Sequence, residues 1–136
     1  MSTTKTIAER VSAQRTLQGV DAMEYTIDAS GRTLGRVASD AAKALLGKNS
    51  PHYVQNFVLP VTVTITNASK LSVSEKKAKE KEYTHYTGHV GGLRTRTLAD
   101  IREKKGIEEV IRMAVDGMIP RNRLRKERMK RLIITK

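Results

Sequence analysis

An α/β fold is predicted by three runs of the sequence. Val61-Thr-Val-Thr-Ile-Thr66 alternates in β-branched residues, the signature of a strand. Leu34, Val37, Ala38, Ala41, Leu45 and Leu46 recur at helical spacing, as do Ile107, Val110, Ile111, Ala114, Val115 and Met118. Because strand and helix runs alternate along the chain, a layered α/β domain around a small, mostly parallel sheet is favoured.

The elements follow in order. Tyr25-Thr-Ile-Asp28 is a short strand-like run closed by Ala29-Ser-Gly31. The first helix then runs to Leu46, with Gly47 as its stop. Pro51 and Pro60 bracket a poorly periodic segment ahead of the Val61–Thr66 strand, and Leu71-Ser-Val73 adds a short extended piece. Glu75 to Glu82 mixes Lys, Glu and Ala, which suits an exposed helix with charge pairs three and four apart. After the glycine-rich Thr87-Gly-His-Val-Gly-Gly92, Thr97 with Asp100 resembles a capping box opening a helix that Gly106 interrupts. The Ile107–Met118 stripe predicts a core-facing helix ended by Gly117 and Pro120. Leu124 and Met129 can seat a basic helix on the body, and Leu132-Ile-Ile134 offers a terminal strand. No internal repeat is visible.

Length and composition bound the function. A chain of 136 residues is long enough for one domain with a core and too short for two ordinary ones. The expected division is an N-terminal arm over 1–24 and one α/β domain over 25–136, including a basic C-terminal segment over 120–136. With one Phe, four Tyr and no Trp, little aromatic surface is left for stacking bases, which argues against a binder built on aromatic platforms. Absence of cysteine removes disulfides, thiolate metal sites and cysteine nucleophiles. No apolar run approaches the ~20 residues needed to span a bilayer. Lys5, Arg10 and Arg15 lie among Ser and Thr in the arm, so a transit peptide and a mobile or RNA-laid arm are both open; Glu9 and Asp21 weigh against the first.

Charge points to a polyanionic partner. From Arg121 to Lys136 there are eight Lys or Arg against one acid, Glu127, and these hold +7 of the chain's net +12. Beside phosphates such a run releases condensed counterions, whereas in isolation it repels itself. Pro120, Leu124, Met129 and the returning Leu132-Ile-Ile134 argue that the run is folded onto the body. Arg121, Asn122, Arg123, Arg125, Lys126, Arg128, Lys130 and Arg131 are therefore candidate contacts. Rich in Arg and poor in aromatics, they favour backbone and shape contacts over base reading.

Two further segments can carry chemistry. Gly31-Arg-Thr-Leu-Gly35-Arg36 joins a strand to a helix, where free N–H groups and the helix dipole favour anions, so Arg32 and Arg36 are candidates. The phosphate-loop pattern is not met, since three residues rather than four separate the glycines and Arg36-Val37 follows. The alternative is structural: Gly31 allows a turn and Gly35 lets the helix approach the sheet. Tyr83-Thr-His85-Tyr86-Thr-Gly88-His89-Val-Gly91-Gly92 is the densest set of donors and glycines outside the tail. Neither Cys nor a well-placed Asp gives His85 and His89 a third metal ligand, and no carboxylate orients a catalytic histidine. Glycines admit a close backbone and successive N–H groups can cup a phosphate. Here too an RNA-facing loop and a purely structural turn are both open.

The order and spacing of these motifs resemble one family. Ile27-Asp-Ala-Ser-Gly31-Arg-Thr-Leu-Gly35-Arg-Val-Ala38, Gly47-Lys48, Asn67-Ala68, Tyr83 with His85, Thr87-Gly-His-Val-Gly-Gly92, Gly117-Met-Ile-Pro120, Leu124 and Leu132 follow one another as in the universal large-subunit ribosomal protein thirteen family. The resemblance covers about Tyr25 to Ile134. It implies a three-layer α/β/α domain with a four-stranded, mostly parallel sheet, bound to large-subunit rRNA from early in assembly, without catalysis. Its RNA-facing motifs fall on Thr33, Arg36 and Lys48, on His85, Tyr86, Gly88, His89, Gly91 and Gly92, with Arg94 beside them, and on Arg121 to Arg131. The implied partners are large-subunit rRNA and neighbouring ribosomal proteins in cytoplasmic rather than organellar ribosomes. No cofactor, metal, membrane, small-molecule substrate or homo-oligomer is implied. The sequence departs from the family at Val58-Leu-Pro-Val61, where an Asp-x-Gly-Asp stretch is usual, and at Ser74-Glu75, in place of a frequent Thr-Gly turn. At Arg125 the usual Gly is absent, which straightens a turn into helix, and near Tyr25 the common Trp is missing. The competing readings are a nucleotide-binding enzyme using Gly31 to Arg36 and a DNA-binding basic protein.

Overall fold

Val61–Thr66 (β2) is the middle strand of a three-stranded parallel sheet in the computed structural model, which describes residues 22–136. Met23–Asp28 (β1) pairs along its whole length, Met23 opposite Val61 and Asp28 opposite Thr66. Leu132–Ile134 (β5) pairs on the other side, Leu132 opposite Val63. Residues aligned in parallel strands point to the same face. Tyr25, Ile27, Val61, Val63, Ile65 and Leu132 therefore turn together into the core, and Glu24, Thr26, Thr62, Thr64 and Ile133 turn away from it.

Leu34–Leu45 (α1) and Ile107–Met118 (α4) close the apolar face and pack on each other. Val37, Ala38 and Ala41 of α1 and Val110, Ile111 and Val115 of α4 are fully buried, as are Val63 and Ile65 beneath them. Each buried Val or Ile contributes about 1.5 to 3 kcal/mol relative to exposure. Helix α1 ends where expected. Gly47 has φ +77°, and a Cβ there would come within 2.5 Å of Leu59 Cδ1, so the stop is both conformational and steric.

Glu75–Glu80 (α2) is exposed, as its charges predict, with Ser74 as its cap: the Ser74 hydroxyl accepts from Lys77 N–H at 3.4 Å. Leu98–Lys105 (α3) begins in the expected capping box. Asp100 N–H donates to Thr97 Oγ1 at 3.2 Å, and Thr97 N–H to Asp100 Oδ2 at 3.1 Å. Arg125–Met129 (α5) is the basic helix; Met129 packs on the core, Leu124 is its half-buried N-cap, and it starts at the position where Gly is usual in the resembling family.

Several expectations are corrected. The α/β class and the parallel core hold, but among the described residues the sheet has three strands, not four. Leu71-Ser-Val73 makes only a single parallel bridge, Ser72 to Thr33, because the left-handed Asn67 (φ 56°) and a 3-10 turn at Ala68–Lys70 redirect the chain after β2. Both crossover helices lie on one face, so among the described residues the polar face has no helical layer and the arrangement is two-layered. Met23 and Glu24, assigned to the arm, belong to β1; residues 1–21 of the arm lie outside the described residues.

The largest departure lies between α2 and α3. Glu82–Tyr86 (β3) and Leu93–Thr97 (β4) form an antiparallel hairpin where only a loop was expected. Nearly every residue of both strands is exposed. Without an apolar face the ribbon carries no period-two signal, and two strands alone are marginally stable. Half-buried Tyr83 packs on the core, and Leu98 N–H donates to the Lys81 carbonyl at 2.9 Å across the hairpin's base.

Candidate nucleic-acid interface

The hairpin turns the glycine-histidine motif into a projecting loop. Thr87 N–H donates to the Gly92 carbonyl at 3.2 Å and Gly92 N–H to the His89 carbonyl at 2.9 Å, closing a tight turn. Gly88 and Gly91 adopt φ of +87° and +71°, a region that L side chains rarely enter. At Gly92 the constraint is steric: a Cβ would lie 2.0 Å from Thr87 Oγ1 and 2.9 Å from the His89 carbonyl. Gly88 and Gly91 have open space instead, so nothing within the described chain crowds the outside of the loop.

Strand register sorts the side chains. His85 is opposite Arg94 and Tyr83 opposite Arg96, so all four share one face; Tyr86 and Leu93 share the other. Tyr86 is 60% exposed, Leu93 65%, and Val90 at the tip wholly so, which makes the face turned away from Arg94 and Arg96 apolar. Tyr83 alone among these is partly desolvated; burial raises its phenol pKa above the ordinary value. Lys81 Nζ stands 5.6 Å from the centre of its ring.

The basic C-terminal segment divides in two. Arg121, Asn122, Arg123, Lys126 and Lys130 are exposed. Arg125 is held by Asp116 at 3.2 Å and stays partly exposed. Arg128, expected at the nucleic acid, instead turns inward: it is 2% exposed and donates to the carbonyls of Phe57 (3.1 Å) and Gln55 (3.4 Å). Arg131 donates to the Leu59 carbonyl at 2.9 Å. These two arginines pin alternate carbonyls of the poorly periodic segment before β2. The position of Arg128 on the inner face of α5 removes it from any phosphate contact in this conformation.

Hairpin and tail face one another across α4. Two adjoining clefts, of about 500 and 670 Å³, share Tyr83, Thr84, Glu109 and Met113; the first reaches His85 and Arg94, the second Arg121 and Arg125. Together they are lined by six Lys or Arg against two acids. Arg96, Lys105 and Arg112 belong to this groove and were not singled out from sequence. The Arg-Thr-Arg-Thr alternation after Leu93 is the signal that could have revealed Arg96 as a strand residue facing with Arg94.

The Gly31 to Arg36 turn stands apart, at the carboxyl end of β1. Gly31 takes φ +65° and its N–H donates to the Lys70 carbonyl at 3.1 Å. Nothing lies within 4 Å of a Cβ at Gly35, so close helix-sheet packing is not its reason. Arg32 is paired with Asp40. Thr33 occupies the N-cap position without a side-chain cap bond, and Arg36 is exposed with no acidic partner among the described residues. Asp28 stiffens the same end, accepting from Ser30 N–H and Asn67 Nδ2, each at 3.0 Å. Lys48 is exposed at the opposite end of α1, whose 12 residues span about 18 Å.

The sequence that forms this arrangement matches a known family. The family profile described as Ribosomal protein L13 matches residues 22–135. The chain belongs to the ribosomal protein L13 family. The large ribosomal subunit protein uL13 of Rubrobacter xylanophilus is 42% identical over 110 residues, covering 81% of this chain and 76% of that protein. For the uL13 proteins of Clostridioides difficile and Persephonella marina the identities are 44% and 45% over 108 residues, covering 79% of this chain and 75% and 71% of theirs. Ribosomal protein L13 is a family of ribosomal proteins and not of enzymes, so the nucleotide-enzyme reading of Gly31 to Arg36 falls away. The match includes the hairpin, the basic segment and the sheet together, so all three surfaces belong to one family architecture.

Proposed function

We propose that this L13-family chain is a structural constituent of the large ribosomal subunit that binds large-subunit rRNA and supports early subunit assembly. The observation that carries the reading is the groove between the hairpin and the C-terminal segment, where exposed arginines from both sides converge over α4. The names of the relatives support the ribosomal placement, and the bacterial sources of those relatives support cytoplasmic rather than organellar ribosomes. The mechanism is charge neutralisation with shape fit. Arg121, Arg123, Lys126 and Lys130 reach phosphates, the loop with Gly88, His89, Gly91 and Gly92 admits a close RNA backbone, and the α/β body fixes their separation. Arg36 and Lys48, at the two ends of α1, provide additional contacts, so the protein lies against RNA on more than one side. The α/β domain, which β1 opens at Met23, acts as the binding domain and the residues before it as an arm, with neighbouring ribosomal proteins as further partners.

Cosedimentation tests the proposal. The protein should stay with large subunits through a high-salt wash and should prefer large-subunit rRNA fragments to duplex DNA at fixed salt. Equal affinity for both nucleic acids, or recovery of the protein free of ribosomal particles, would exclude it.

A further inference from the structure

The cleft beneath the hairpin has features that phosphate neutralisation does not use. Its floor is apolar, made by Tyr83, Ile101 and Met113, while Arg94 and Arg96 stand at its rim. Neither arginine has an acidic partner among the described residues. At about 500 Å³ it is the size of a small-molecule pocket, too narrow for a duplex and roomy enough for one base with its sugar. Into this cationic setting projects a carboxylate, Glu109. It forms loose ion pairs with Lys105 Nζ at 3.8 Å and Arg112 Nε at 3.9 Å, and among the described residues no donor lies within hydrogen-bond distance of its oxygens. A carboxylate repels a phosphate backbone and attracts N–H donors. Among the four bases, guanine presents two adjacent N–H donors, N1–H and the N2 amine, on its Watson–Crick edge, which an unpaired nucleotide leaves free.

We infer that the cleft receives one unpaired guanosine of the bound RNA. Its base lies on Tyr83 and Met113, its N1–H and N2–H donate to Glu109, and its flanking phosphate meets Arg94 and Arg96. The apolar floor complements the base, the exposed arginines complement the phosphate, and the acid gives the choice of base. This inference rests on the rRNA-binding reading and adds to it a base-specific contact, in a protein whose other cations read only charge and shape.

The test compares RNA hairpins identical except for one bulged nucleotide: none, guanosine or adenosine. Stacking of one base is worth about 1 to 3 kcal/mol, so the guanosine-bulged hairpin should bind roughly tenfold more tightly than the fully paired one. Only that RNA should shift the labelled Met113 methyl resonance upfield through the ring current of the base. Glu109→Gln should erase the preference for guanosine over adenosine, while the lost negative charge raises the affinity of all three hairpins alike. In assembled subunits, a photo-crosslinking side chain at Met113 should capture RNA. Equal binding of paired and bulged hairpins with an unmoved Met113 methyl would overturn the guanosine site and leave rRNA binding standing. Capture of protein at Met113 would overturn it as well. Failure to bind any of these hairpins or large-subunit rRNA would overturn the parent reading itself.

Discussion

The guanidinium of Arg128 donates to the Phe57 carbonyl across 3.1 Å, tying the basic C-terminal segment to a loop 71 residues earlier. Together with the Arg131 bond to Leu59, this contact makes two of the tail's cations part of the fold; Arg125 pairs with Asp116, and Arg121, Arg123, Lys126 and Lys130 are left to solvent. Among the described residues no carboxylate accompanies the buried Arg128, and its Nε has no hydrogen-bond partner there. Among the described residues its charge is held by backbone carbonyl dipoles.

Stability should therefore separate neighbouring tail cations. Arg128→Ala leaves the Gln55 and Phe57 carbonyls without their donor and opens a buried space, and should cost about 2 to 4 kcal/mol. Lys130→Ala, on the exposed surface, should cost less than about 0.5 kcal/mol. Urea unfolding of both variants measures the contrast, and parental stability in Arg128→Ala would show that the inward bonds contribute nothing.

Binding should sort the same residues in the opposite order. Replacing Arg121, Arg123, Lys126 and Lys130 with Gln removes four exposed cations and should lower the salt dependence of rRNA binding by a slope of about 3 to 4. An unchanged slope in filter-binding titrations would mean that the tail is not the principal contact.

The hairpin loop should be more sensitive at Gly92 than at Gly91. Gly92→Ala places a methyl against the His89 carbonyl, so the turn must open, whereas Gly91→Asn meets no atom and supplies a residue that tolerates positive φ. Amide spectra should show Gly92→Ala perturbing residues 86–93 with the core unchanged, and rRNA affinity should fall. Loss of the whole fold, or normal affinity, would contradict a loop shaped for RNA.

Acid should loosen the molecule through two aspartates. Asp100 is held below the ordinary aspartate range by hydrogen bonding with the Thr97 side chain and then its backbone N–H, and Asp28 by the Ser30 N–H and then Asn67. A lowered folded-state pKa means the charged form favours the fold, so this contribution is present above about pH 4 and lost as pH falls below it. Urea midpoints should drop between pH 5 and pH 3, and Asp28→Asn with Asp100→Asn should flatten that drop. A double variant with the parental acid profile would place the sensitivity elsewhere.

What could be read from the sequence was local. The Val61–Thr66 strand, the Leu34–Leu45 helix with its Gly47 stop, and the Thr97–Asp100 capping box depend on residues a few positions apart, so their chemistry is written in consecutive letters. The glycine-histidine stretch was legible as a set of donors and the tail as a concentration of charge. The hairpin that carries the first was not, because strands exposed on both faces show no hydrophobic alternation.

By itself, then, the sequence determined the α/β class, the surplus of cations, the order of the family's motifs and which segments hold them. Tertiary structure alone decided which cations face outward, that the sheet has three strands with helices on one face, and that hairpin and tail meet across α4. The reason is distance along the chain. Arg128 and Lys130 are two residues apart and both basic, yet one is buried, because its partners are supplied by Gln55 and Phe57, and no local pattern records a contact that distant.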